Sequence, residues 1–152
     1  MKQLVIIRGP SGSGKTTIAR HLASQNESSL ICEADRWWGS DYKWTLKKLG
    51  KAHQWCRLEV ERGMLDDVEQ IIVANVFIKL KDLTEYLKLA EEYGYEVTII
   101  RSPGIWHIDN LIANNDKRDR INTPEFVLKR HILEYQKGTL EREWKDLSIY
   151  EN

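Results

Sequence analysis

Disulfide staples, membrane anchors and a dominant charge are all missing from this sequence. It holds only two cysteines, Cys32 and Cys56. Their separation matches neither a disulfide framework nor a metal-ligand pair, so both read as reduced core thiols. No apolar stretch reaches signal-peptide or membrane-spanning length, and the chain runs directly into a strand over Gln3 to Arg8. A cytoplasmic address with no membrane partner is therefore expected. Excess charge is absent too, because Lys plus Arg and Asp plus Glu number 23 each. No whole-chain field marks a general nucleic-acid or membrane binder, and any basic site must be local. Repeats, low-complexity tracts and linker-like stretches are also lacking. What remains is 41% hydrophobic and 30% charged composition over 152 residues, enough to bury the core of a single domain spanning 1–152.

The most informative segment is Gly9-Pro10-Ser11-Gly12-Ser13-Gly14-Lys15-Thr16-Thr17. It follows a β-branched apolar run and opens a helical pattern, the setting of a phosphate-cradling P-loop. Glycines let backbone amides approach polyphosphate oxygens, and a helix starting near Lys15 aims the positive end of its dipole at the same place. Gly9, Ser11, Gly12, Ser13, Gly14, Lys15, Thr16 and Thr17 are thus the candidate ATP contacts. Lys15 is expected to bridge the β and γ phosphates and Thr16 to hold Mg²⁺.

Strands and helices alternate along the rest of the chain. Leu4 to Ile7 is a continuous apolar run, as in a parallel strand covered on both faces. Further strands are predicted over Leu30 to Ala34, ending at Asp35, and over Gln70 to Asn75 and Glu96 to Arg101. Helices are predicted over Lys15 to about Ala23, Thr45 to Arg62, where Gly63 would stop the helix, Leu80 to Gly94, and Trp106 to Asn115. Thr123-Pro124 reads as an N-cap with proline at the first helical position of a helix reaching about Gln136. A charged tail over 137–152 carries no signal. Such βα units imply an α/β fold with a parallel sheet whose ligand lies outside the carboxyl ends of the strands.

Those ends deliver the P-loop, Asp35 and Ala74-Asn75 to one rim, which Arg101 and Ser102 are also placed to reach. A carboxylate at the position of Asp35 can accept the proton of an attacking hydroxyl or anchor a metal-bound water, or merely cap a turn. Asn75 can hydrogen-bond an acceptor but supplies no charge. The third strand does not end in Asp or Glu, which argues for a kinase over a motor or switch. Polar residues over about 114–123 fall where a small kinase carries its lid, with Lys117, Arg118 and Arg120 as cations. Trp37, Trp38, Tyr42 and Trp44 suit either base stacking or packing, whereas Trp55 suits packing. His53 sits on an apolar helix stripe as a structural residue or a reserve acceptor contact, while His107 and His131 give no usable signal. Lys43, Lys47, Lys48, Lys51 and Arg57 form either a phosphodiester track or a solvated face.

On the P-loop, Ala34-Asp35, the Tyr42 to Trp55 region, Glu92 to Val97, and Asn114 to Arg118 before Thr123-Pro124, the chain resembles the polynucleotide-kinase-like branch of P-loop kinases, which includes the bacteriophage 5′-hydroxyl polynucleotide kinases. The likeness extends to about Gln136. It implies a three-layer P-loop kinase fold with a short lid, Asp35 as the acceptor-activating base, and Arg118 as the lid arginine that stabilises phosphate charge. The expected activity is ATP- and Mg²⁺-dependent transfer to a 5′-hydroxyl of a nucleic acid end or a nucleoside-like acceptor. Small-molecule or nucleoside monophosphate kinases and a non-catalytic ATP-binding module are the alternatives. Two positions depart from that family: Ala74 stands where a third-strand carboxylate is usual, and Trp38 where the phage enzymes have an arginine.

Overall fold

The computed structural model describes residues 1–37, 46–103, 107–116 and 123–151. Four strands form one sheet: β1 (Gln3–Arg8), β2 (Ser29–Cys32), β3 (Gln70–Asn75) and β4 (Glu96–Arg101), ordered β2-β3-β1-β4 and parallel throughout. The apolar runs place β1 and β3 at the centre, where both faces are covered. Leu4, Ile6, Ile71 and Val73 face one core layer, and Val5, Ile7, Ile72 and Ala74 the other. Helix α1 (Lys15–Ser24) covers the second layer through Ile18, Ala19 and Leu22. Helices α2 (Leu46–Leu65) and α3 (Leu80–Tyr93) cover the first through Cys56, Val60, Leu83 and Tyr86. Beyond β4 come α4 (Ile108–Asp116), α5 (Glu125–Gln136), α6 (Thr139–Glu143) and α7 (Leu147–Tyr150). This is the expected α/β architecture of a parallel sheet flanked by helices.

Three details depart from the sequence reading. Gly63 lies inside α2, which continues to Leu65. Its lack of a side chain serves packing: a Cβ there would fall 2.7 Å from a Leu30 methyl and 3.2 Å from one of Ile71. Pro124, not Thr123, is the N-cap of α5, its carbonyl accepting from Val127 and Leu128 amides. The tail is structured as well. Leu140 and Leu147 enter the core, and Glu151 bridges to Ile99 on the otherwise open edge of β4, the kind of cover that keeps a sheet edge from pairing elsewhere. Both cysteines are buried and free, and burial pushes both thiols up.

Candidate functional site

β1 hands over to the glycine loop at a crowded point. A Cβ on Gly9 would collide with the hydroxyls of Ser102 and Ser13, which hydrogen-bond each other at 2.9 Å. Ser102, just past β4, also donates its amide to the Arg8 carbonyl, so the fourth strand does reach the rim. Gly12 and Gly14 adopt φ of 85° and 93°, a backbone region costly for residues with a Cβ. Gly14 is the N-cap of α1, which puts the amides of the first turn at the end of the loop. Lys15 Nζ donates to the carbonyls of Gly9 and Pro10 at 2.8 Å each, folding its ammonium over the loop. The Ser13 amide donates to the Pro10 carbonyl, so one of the amides assigned to ATP already has a partner. Thr17 is exposed on α1.

The loop is clasped from the side by the end of α4. Asn115, 1% exposed, donates from Nδ2 to the carbonyls of Ser11 and Leu111, and its Oδ1 accepts from the Ser11 hydroxyl at 3.1 Å. Asn114 donates to the Gly12 carbonyl at 2.8 Å, and the Thr123 and Ser11 hydroxyls lie 3.2 Å apart. Asn114 and Asn115, where the expected helix to Asn115 and the expected lid overlap, belong to the last turn of α4, from which their amides reach the loop. Lys117, Arg118 and Arg120 lie outside the described residues.

At the tip of β2 the structure brings in a group that the sequence reading passed over. Glu33, 7% exposed, accepts from the Thr16 hydroxyl at 3.0 Å. It had been placed inside a strand running to Ala34, but the strand stops at Cys32, which frees the next side chain to turn toward the loop. Asp35 lies in the 3-10 turn Ala34–Trp37. Asn75 does not hold itself available for an acceptor: its Oδ1 accepts from the Ala34 amide at 2.9 Å and its Nδ2 reaches Cys56 Sγ at 3.6 Å. It thereby fixes the turn that carries Asp35. Thr16 and Glu33 supply hard oxygen donors suited to Mg²⁺. No group of three or more His, Cys, Asp or Glu among the described residues could hold a metal ion unaided.

Lys15, Ser11 and Asp35 line one cavity of about 500 Å³, together with His53, Arg57 and His131. The volume lies in the range of small-ligand sites. His131, on α5, keeps its buried Nδ1 without a hydrogen bond among the described residues. Burial, with Lys15 nearby, lowers it to about 4, so it is neutral at pH 7. Burial lowers His53 as well. Phe77 forms part of the wall in a left-handed conformation, φ 48°. Its carbonyl takes hydrogen bonds from Arg8 and Tyr135 at 3.3 Å each. Arg8, 1% exposed, also pairs with Glu141 of the tail at 3.0 Å. Trp37 and Trp55 both pack against the core. Trp38, Tyr42, Lys43 and Trp44 lie outside the described residues. No helix among the described residues is long and apolar enough to cross a membrane.

The family model described as "AAA domain" matches residues 4–142. The chain belongs to this AAA-domain family. It is similar to human NEDD4-binding protein 2, with 30% identity over 105 residues covering 68% of this chain and 6% of that protein. It is also similar to mouse 2′,3′-cyclic-nucleotide 3′-phosphodiesterase, with 27% identity over 115 residues covering 71% and 26%. The chain thus spans about a quarter or less of these curated relatives. Among solved structures, the Pnkp1/Rnl/Hen1 RNA repair complex superposes with a TM-score of 0.68 at 18% identity, over 90% of this chain and 44% of that one. That likeness shows a P-loop kinase-like fold in this AAA-domain chain.

Proposed function

We propose that this domain transfers the γ-phosphate of ATP to a hydroxyl acceptor, the 5′-hydroxyl of a polynucleotide or a nucleoside-like molecule. One observation carries the reading: Lys15 of the glycine loop and Asp35 in the turn after β2 line the same cavity. Gly9, Gly12 and Gly14 allow the loop to wrap the triphosphate, with Ser11, Ser13, Thr16 and Thr17 along its course. Lys15 exchanges its two loop carbonyls for phosphate oxygens. Thr16 is the metal-side hydroxyl, and a bound Mg²⁺ supplies neutralisation of phosphate charge. Asp35 orients the acceptor hydroxyl and takes its proton, and Arg118 faces charge that grows on the transferred group. Phosphoryl transfer is mostly positioning and electrostatics, so this short set of groups is enough.

Support for the polynucleotide acceptor comes from the resemblance to polynucleotide kinases and from the fold shared with a component of an RNA repair complex. Support for a smaller acceptor comes from the cavity, whose size suits one nucleoside. The deciding experiment incubates the protein with γ-labelled ATP and a panel of 5′-hydroxyl oligonucleotides, nucleosides and nucleoside monophosphates. Label in oligonucleotides alone is the expected result. Label only in nucleosides or monophosphates moves the acceptor to the small-molecule class, and no label despite ATP binding leaves an ATP-binding module.

A further inference from the structure

The third strand ends in Ala74-Asn75, so β3 brings no carboxylate to the nucleotide site, and the side chain of Asn75 is taken up by Ala34 and Cys56. The geometry points to Glu33 as the carboxylate that serves the magnesium ion of the bound nucleotide, working through Thr16 from the neighbouring strand. This rests on the phosphotransferase reading above. Ladder register makes the substitution possible: the last β2-β3 pair is Cys32 with Val73, so one step further Glu33 comes level with Ala74. The acid absent from the end of β3 is present in the residue just past the end of β2.

The hydroxyl of Thr16 shows what such a carboxylate does. A hydroxyl has one proton and two lone pairs. By giving its proton to Glu33 Oε1 at 3.0 Å, Thr16 keeps both lone pairs for a cation and loses the rotamers that would turn the proton toward it. Glu33 Oε2 is 3.8 Å from Arg36 Nε, too far for a direct hydrogen bond, which leaves it acceptor capacity for a metal-bound water. A purely structural duty does not account for the group. The turn after β2 is already closed by the main chain, the Arg36 amide donating to the Glu33 carbonyl at 3.1 Å. Burying a carboxylate against one hydroxyl and a distant guanidinium is costly, and a glutamine would make the same hydrogen bond without that cost.

The test is calorimetric titration of the whole chain with ATP, once with excess MgCl₂ and once with EDTA. In the wild type Mg²⁺ should tighten ATP binding. Glu33→Gln should lose about tenfold of that gain, as loss of an outer-shell metal partner does, with metal-free affinity within about twofold. Glu33→Gln with Ala74→Asp should recover much of the gain by returning a carboxylate from β3. Glu33→Asp, which keeps the charge on a shorter stem, should retain part of it and serves as the readout if Glu33→Gln does not fold. Electron paramagnetic resonance of Mn²⁺ in the ATP complex should follow the same order. An unchanged Mg²⁺ gain in Glu33→Gln, or equal losses with and without metal, overturns the assignment while leaving the phosphotransferase reading in place. A wild type that binds ATP under neither condition overturns both.

Discussion

The two halves of the site are built in opposite ways. The proposed donor half is one unbroken segment, Gly9 to Thr17, whose left-handed glycines and helix start come from local chain geometry. The proposed acceptor half draws on the turn after β2, helix α2, the end of β3 and helix α5, so that Asp35, His53, Arg57 and His131 meet only once the sheet is formed. A local motif tolerates drift elsewhere in the chain, whereas an assembled cavity changes with every element that lines it. One scaffold can thereby keep its nucleotide chemistry and vary its acceptor. Paired substitutions separate the halves with the largest expected effect. Lys15→Ala should weaken ATP binding and reduce transfer at least about 10²-fold, the usual cost of losing one charge-stabilising donor. Asp35→Asn should reduce turnover by about 10²-fold or more while ATP affinity stays near wild type. Calorimetry beside single-turnover labelling reads both, and parallel losses in the two variants would mean that the halves are not independent.

A second contrast is pH sensitivity, because two half-buried histidines, His53 and His131, line the cavity on its proposed acceptor side. The folded pKa of His131, about 4, lies below its ordinary 6.5. Between those values the unfolded chain takes up a proton that the folded chain refuses. The His131 contribution is therefore complete above pH 6.5 and is lost as pH falls through the window to 4, by up to about 3 kcal/mol. His53 is shifted in the same direction by burial and adds to the loss. Urea unfolding at pH 7.0 and 4.5 measures the difference, and His131→Phe should flatten it. A variant whose pH profile parallels the wild type would show that the ring is not held neutral by its cavity.

The same contrast explains how much was legible before folding. Strands β1, β3 and β4 were placed to the residue, because apolar β-branched runs between glycines and polar turns report burial directly. The loop was legible because its geometry is contiguous. Glu33 was not: within a presumed strand it looked like one polar residue among apolar ones, and only the stop at Cys32 turns it toward Thr16. Asn75 carried the right chemistry for an acceptor contact, but a partner 41 positions away had already claimed it. His131 gave no signal, since nothing near it in sequence shows that α5 folds over Lys15. The charged tail carried no signal, although Leu140 and Leu147 are buried and Glu141 meets Arg8. Such long-range pairings leave no periodic mark in the chain.

The smallest effect concerns the seam where the halves touch. The Ser11 hydroxyl donates to Asn115 Oδ1, and its oxygen lies 3.2 Å from the Thr123 hydroxyl, so Ser11 joins the loop to the end of α4 and the approach to α5. Because Ser11 has only one proton and Asn115 Oδ1 can only accept, the shared proton at the Thr123 contact must come from Thr123. Thr123→Val keeps the shape and removes that donor. It should cost about 1 kcal/mol, the net worth of one part-buried hydrogen bond, or about 3 °C in melting temperature for a domain of this size. Ser11→Ala removes both bonds and should cost more, and the double variant should fall short of the sum by about the Thr123 contribution, since that bond cannot be lost twice. Additive losses would mean that the two hydroxyls merely lie close, and that the clasp on the glycine loop from this side rests on α4 and not on Thr123.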